Sequence, residues 1–202
     1  MRRSKEDAEQ TRTAILDAAE QMFCEFGIPA STLEKISRSA GMTRGALYWH
    51  FKDKLDLLRA LQKRSEPPQK TLIRMAAQQG HDDPLGLLEQ VAEEMLYSFE
   101  HNVCQQRLFV ILNSPSADAE SVAWMKEMNV DMFATLSALL EQANAQGSLS
   151  ADFTPKETAG ILMATMNGLL SEWLRSDRCF SLTDLGTRFL RKQMTLFRKP
   201  YK

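Results

Sequence analysis

Between Lys35 and Lys54 the chain reads KISRSAGMTRGALYWHFKDK, and the side chains in this stretch suit one kind of chemistry. Lys35, Arg38, Arg44, Lys52 and Lys54 set five cations against a single anion, Asp53. Leu47 and Phe51 stand four apart, as the buried side of a short helix does, which turns Arg44, Gly45, Tyr48, Trp49 and His50 outward. A helix that only meets water is expected to carry Glu and Lys there, not two aromatic rings and a glycine. Gly45 costs about 1 kcal/mol of helix propensity, and close approach to another backbone is the usual compensation. A short helix that is basic and aromatic, held by a partner across a glycine turn, is a shape the DNA major groove accepts.

Other elements must hold that helix in place. Ser31 and Glu34 have capping-box spacing, which predicts a helix from Thr32 that buries Leu33, Ile36 and Ala40 and stops at Gly41. Thr43 is placed to cap the next helix, running to Phe51. Upstream, Ile15, Ala19, Met22 and Phe26 predict a first helix over residues 7–26, ended by Gly27. Downstream, Asp53 opens a fourth helix with Leu57, Leu58 and Leu61 inward. Pro67-Pro68 predicts a break between Ser65 and Pro68, with a new helix over 69–79. The basic arm Arg2-Arg3-Ser4-Lys5 fits either a phosphate or minor-groove contact or a frayed tail.

Three runs fix a family likeness: Ile15-Leu16-Asp17-Ala18-Ala19 with Phe23 and Gly27, then Ala40-Gly41-Met42-Thr43-Arg44-Gly45, then Leu47-Tyr48-Trp49-His50-Phe51-Lys52-Asp53-Lys54. Over residues 11–61 the chain resembles the DNA-binding domain of the TetR family of transcriptional regulators, in particular the AcrR-like subgroup that represses multidrug efflux genes. The resemblance implies a homodimeric repressor that leaves a palindromic operator when a small lipophilic effector binds. By resemblance and by chemistry, Arg44 reads a base, since a guanidinium bonds guanine in bidentate fashion. Thr43, Tyr48, His50 and Lys54 position phosphates, and Thr32 and Lys35 hold the flanking DNA backbone. Gly45 and Ala46 allow close approach, and Trp49 packs on the sugar-phosphate wall. The family's linker helix is uninterrupted, so Pro67-Pro68 is a departure from it.

Bulk properties fit this reading and narrow the others. The chain has 202 residues, 44% of them hydrophobic and 25% charged, with a formal net charge of −1. Residues 1–66 hold 12 Lys/Arg against 10 Asp/Glu, and residues 67–202 hold 13 against 16, so the basic footprint is local. No apolar run is long enough to span a membrane and no signal peptide opens the chain, so a cytoplasmic protein is expected. Cys24, Cys104 and Cys179 form neither a disulfide framework nor a metal motif, and their helical, partly apolar flanks predict burial. Only His50, His81 and His101 are available as bases, and neither a serine elbow, a phosphate loop nor metal-ligand spacing is present, so no enzyme, metal or cofactor is expected.

The second half carries helical periodicity without motifs. Asp83-Pro84 and the capping box Thr154-Pro155-Lys156-Glu157 open helices. Others are predicted over 103–113 (before Pro115), about 119–146, and 182–197. The fold class is therefore all-α, with about nine helices. Residues 1–65 form the helix-turn-helix domain, and residues 66–202 a larger helical domain for ligand binding and dimerisation. The small-residue stripe Gly160, Ala164, Gly168 fits either a symmetry-mate helix or packing within the chain. Methionines suit an adaptable pocket or a plain core. Asn113 and Asn167, set in apolar segments, suggest polar points inside a cavity. The pocket predicted on these grounds is lined by Met95, Phe99, Phe109, Asn113, Met132, Met166, Asn167 and Leu170, with Asp131 and Glu172 placed in water. Two other functions stay open: a TetR-type regulator of metabolic or quorum-sensing genes, as repressor or activator, and a helical ligand-binding module without DNA binding.

Overall fold

The computed structural model describes residues 5–114 and 119–200. Arg2, Arg3 and Ser4 of the basic arm, and Pro115, lie outside the described residues. Ten α-helices account for the described fold: α1 Lys5–Ala30, α2 Leu33–Ser39, α3 Arg44–His50, α4 Lys54–Ser65, α5 Pro68–Gln79, α6 Pro84–His101, α7 Val103–Asn113, α8 Ala119–Ala145, α9 Pro155–Arg175 and α10 Leu182–Phe197. Among the described residues there is no strand, only an isolated bridge between Leu149 and Arg198. The all-α expectation holds, and α4 stops at Ser65 ahead of the two prolines as predicted, with Pro68 opening α5.

The chain forms two compact units. One contains the residues up to Glu66 together with Val103–Lys126, and the other contains Pro67–Asn102 with Glu127–Lys202. The first packing unit thus takes in α7 and the start of α8, which a division at 65/66 places with the second half. Its core joins Ile15, Leu16, Ala19 and Phe23 of α1, Ile36 of α2, Leu47 of α3 and Phe51 at its C-terminal cap, Leu57, Leu58 and Leu61 of α4, and Ile111 of α7. The core of the second unit joins Ile73, Leu85, Leu88, Val91, Leu139, Leu140, Met194 and Phe197, with Met95 and Met132 packed against it.

Several local expectations are corrected. Ser31 does not cap α2. It is fully buried, and its hydroxyl donates to the carbonyls of Met22 at 3.0 Å and Gly27 at 2.8 Å. Thr32 takes over the cap, accepting from the Lys35 N–H at 3.2 Å, while Glu34 pairs with Arg38. Gly27 has a φ of 77°, so it interrupts the helical backbone where the pattern expected an end, but the helical run resumes to Ala30. Cys104 and Cys179 are exposed and only Cys24 is partly covered, where burial pushes its thiol up. Leu185 and Phe189 of α10 face solvent.

In the second unit a carboxylate locks one helix to another. Glu100 of α6 sits at the N-terminus of α10, accepting the N–H groups of Leu182 and Thr183, each at 2.9 Å, and the Thr183 hydroxyl. Burial works against its charge, but these hydrogen bonds outweigh it and hold the carboxyl below its ordinary value. A carboxyl lowered on folding adds stability above its unfolded pKa of about 4.5, which is lost as pH falls through the lower folded value. Glu100→Gln is therefore expected to cost roughly 1–2 kcal/mol at pH 7 and to flatten the loss of stability between pH 5 and pH 3. Urea unfolding at several pH values checks this, with parallel pH profiles for both proteins as the adverse result.

Candidate nucleic-acid interface

The two helices of the helix-turn-helix are seven residues each and are positioned by their ends and by one buried face. At the turn, Gly41 has a φ of 67°, a conformation that favours glycine. Its N–H bonds Arg38 at 3.1 Å and the Met42 N–H bonds Ser37 at 2.9 Å, closing α2 in a Schellman motif. Thr43 then caps α3 through its hydroxyl oxygen, which accepts the Ala46 N–H at 3.1 Å. Leu47 and Phe51 are buried, as their spacing predicted. The Arg12 guanidinium covers the Phe51 ring, 5.3 Å from its centroid.

The outward face carries the groups that the sequence put there. Trp49 is 73% exposed, and Arg44, Gly45 and Tyr48 are exposed with it. The Arg44 guanidinium lies 5.6 Å from the Tyr48 ring centroid, and its hydrogen bond with Tyr48 raises its pKa further. Ala46 is half-buried. His50 is half-buried rather than fully outward, with Nε2 shielded from solvent and the Trp49 ring edge-on at 4.5 Å. Two of the predicted phosphate groups are already tied down: the Lys54 ammonium donates to the Ile28 carbonyl at 3.0 Å and the Lys35 ammonium to Ala30 at 3.1 Å. Each keeps further N–H groups, so these bonds aim the charge.

Glycine at 45 is not required by the protein itself. A Cβ built there meets only the Thr43 hydroxyl, 4.0 Å away. A side chain at this position would point into open space.

Sequence reading missed the ionic cluster behind this surface. Glu20 of α1, whose side chain is 5% exposed, accepts from Arg64 of α4 at 2.5 Å and from Arg107 of α7 at 3.4 Å. Arg64 also pairs with Asp17 at 2.6 Å. Burial opposes the Arg64 charge, but its bonds to Asp17 and Glu20 outweigh this and raise its pKa. The one signal in the sequence is a Glu set between Ala19 and Met22 on an otherwise apolar stripe.

The predicted ligand set is split. Met95, Phe99, Met132, Met166, Asn167 and Leu170 lie in the second unit, and Phe109 and Asn113 in the first. Phe99 and Leu170 are buried, and Phe99 stands edge-on to Trp173 at 5.9 Å. Neither asparagine is the buried polar point expected of it: both are exposed, and Asn113 bonds the Phe109 carbonyl of its own helix at 2.8 Å. Asp131 pairs with Arg74, and Glu172 with Arg175.

Residues 15–61 match the model of the bacterial regulatory proteins of the tetR family. The chain is 38% identical to the HTH-type transcriptional repressor BepR of Brucella suis biovar 1, across 99% of this chain and 98% of that one. It belongs to the tetR family. A crystal structure of NalD, the secondary repressor of the MexAB-OprM multidrug efflux pump in Pseudomonas aeruginosa, superposes with a TM-score of 0.81 at 30% identity, covering 96% of this chain and 100% of that one. SmeT, the repressor of the Stenotrophomonas maltophilia pump SmeDEF, gives 0.78 at 29% identity over 96% and 93%.

Gly45→Ala separates the protein's needs from those of a bound duplex. It is expected to stabilise the protein by up to about 1 kcal/mol, through helix propensity, and to weaken operator binding. Thermal melts together with operator titrations check the two signs, and equal affinity for both proteins would remove Gly45 from the contact face.

Proposed function

We propose that this chain is a homodimeric repressor of a multidrug efflux operon, released from a palindromic operator by small lipophilic molecules. The observation that carries it is α3: a seven-residue helix that displays Arg44, Tyr48 and Trp49 while only Leu47 is buried. Such a surface is unfavourable in water and fitted to a groove. The similarity to BepR, NalD and SmeT, each named as a repressor, supports the regulatory reading, and the last two are repressors of multidrug pumps. SmeT has also been seen with triclosan bound, which supports a lipophilic effector.

Residues 1–65 serve DNA reading, and residues 66–202 serve sensing and pairing. Arg44 reads a guanine, while Thr43, Tyr48, His50 and Lys54 hold phosphates and Thr32 and Lys35 grip the flanking backbone. Gly45 and Ala46 let α3 come close, and Trp49 lies on the sugar-phosphate wall. Two copies place their α3 helices about 34–36 Å apart, one turn of DNA. Effector held among Met95, Phe99, Met132, Met166 and Leu170 favours a conformation with the wrong spacing, which requires tighter binding to that state.

Fluorescence anisotropy against DNA from upstream of the protein's own gene, at fixed salt, tests this directly. Tight binding weakened by lipophilic drugs is expected, and Arg44→Ala should cost about 1–3 kcal/mol and relax the preference at one base pair. Tight binding that no drug changes would move the effector to metabolic or signalling compounds. Binding no better than to random DNA, there and in a genome-wide selection, would leave a ligand-binding module.

Pairing runs through α9 and α10. Ala164, Asn167 and Gly168 are exposed on α9, and Leu185, Phe189 and Leu196 on α10. A Cβ at Gly168 meets nothing within 4 Å, so the folded chain has room for a large residue. Gly168→Arg is expected to leave the thermal transition within a few degrees, to give monomers by sedimentation, and to abolish operator binding. A dimer of unchanged affinity would exclude this face.

A further inference from the structure

Two lysines flank α3 in the chain, and one short turn holds both. The Lys35 ammonium, from α2, donates to the Ala30 carbonyl at 3.1 Å. The Lys54 ammonium, from the start of α4, donates to the Ile28 carbonyl at 3.0 Å. The two acceptors stand on either side of Pro29. The helices before and after α3 therefore each send a charge to the same piece of backbone.

Buried groups fix that piece of backbone. Gly27 turns the chain with a φ of 77°, Pro29 restricts its own φ, and Ile28 is 2% exposed. Ser31 is fully buried, and its hydroxyl donates to the carbonyls of Met22 at 3.0 Å and Gly27 at 2.8 Å. The Ser31 N–H bonds the Ile28 carbonyl at 3.3 Å, the same oxygen that receives Lys54. Ser31 thus ties the Gly27 and Ile28 carbonyls into one closed turn.

A cation at a helix C-terminus complements its dipole, and one would serve α1 in that way. Two, drawn from the elements before and after α3, do more. A loose lysine side chain loses conformational entropy when it is fixed against a phosphate. Here part of that loss falls at folding, and each ammonium keeps two N–H groups for an anion.

We propose, resting on the operator-binding reading of α3, that Ser31 is a positioning residue for DNA: through the turn at 27–31 it presets Lys35 and Lys54 as a paired grip on the phosphates beside α3. Ser31 itself is buried and touches no duplex.

A mutant cycle separates this role from one in folding alone. A labelled duplex from upstream of the protein's own gene is titrated at several salt concentrations with the parent, Ser31→Ala, the pair Lys35→Gln and Lys54→Gln, and all of these changes together. Ser31→Ala is expected to weaken binding about tenfold. It should also make the dependence of log K on log salt shallower by about 0.9 or more, the share of one phosphate contact. In the background without the two lysines the same change should alter affinity by less than about twofold, because the groups it acts through are gone. Equal penalties in both backgrounds, or an unchanged salt slope, overturn the proposal. So does a lysine pair variant that binds like the parent, since neither ammonium then grips a phosphate. A parent with no preference for this duplex, nor for any from a genome-wide selection, defeats the operator reading itself, and this role falls with it. The thermal transition verifies that Ser31→Ala is folded. If it is not, NMR relaxation of the lysine ammonium groups in the parent without DNA decides the matter. Lys35 and Lys54 are expected to be more restrained than the exposed Lys63, and equal mobility overturns the proposal.

Discussion

Seven residues make two turns of helix, and two turns do not hold together in water. Helices shorter than about 12–15 residues are marginal even with favourable sequences, so α2 and α3 exist because something else holds them. That constraint organises the first unit. Ile36 from α2, and Leu47 and Phe51 from α3 and its cap, reach the same core as Ile15, Ala19 and Phe23 of α1. The caps supply what the length does not. Thr32, Thr43 and Asp53 in turn accept from the N–H three residues on, and the Schellman closure at Gly41 satisfies the last carbonyls of α2. With the backbone and one side of α3 spoken for, its other side is free to carry residues that do nothing for stability.

Glu20 performs a similar service at longer range. A carboxylate this buried is costly alone, by several kcal/mol, and tolerable with two guanidiniums on it. One of them, Arg64, closes α4 onto α1; the other, Arg107, brings in α7 from 87 residues further along. With Ile111 in the shared core, this fastens α7 to the first unit. Only Asn102 separates α7 from α6, whose last residues belong to the second unit.

What was legible in the sequence follows from how each feature is specified. The caps at Thr43, Asp53 and Thr154, the break before Pro68 and the inward pair Leu47 and Phe51 depend on residue type at fixed offsets, and were read correctly. The Ser31 error shows the limit: Ser31 and Thr32 both satisfy the cap rule, and the choice depends on a tertiary fact, that Ser31 faces the carbonyls of Met22 and Gly27. Glu20, Arg64 and Arg107 are unremarkable apart, and only the fold makes them one cluster. Asn113 and Asn167 failed differently: an apolar neighbourhood in sequence says little about the side of a helix on which a residue lands, and both landed in solvent.

Helix α10 shows why the second half resisted a motif. Leu190, Met194 and Phe197 are buried, yet Leu185, Phe189 and Leu196 are exposed, so the helix is apolar on two sides at once. A one-sided pattern would have given its orientation; a two-sided one asks for a second surface to cover it. On α9 the neighbouring exposed positions are small, Ala164 and Gly168. In a two-fold interface each protomer presents the same patch, so a large residue on one copy must find a small one on the other. Phe189 and Leu196 on α10, with Ala164 and Gly168 on α9, put both kinds of residue on a single chain's surface. Under the proposed pairing through α9 and α10, the stripe and the bulky set share one explanation rather than two.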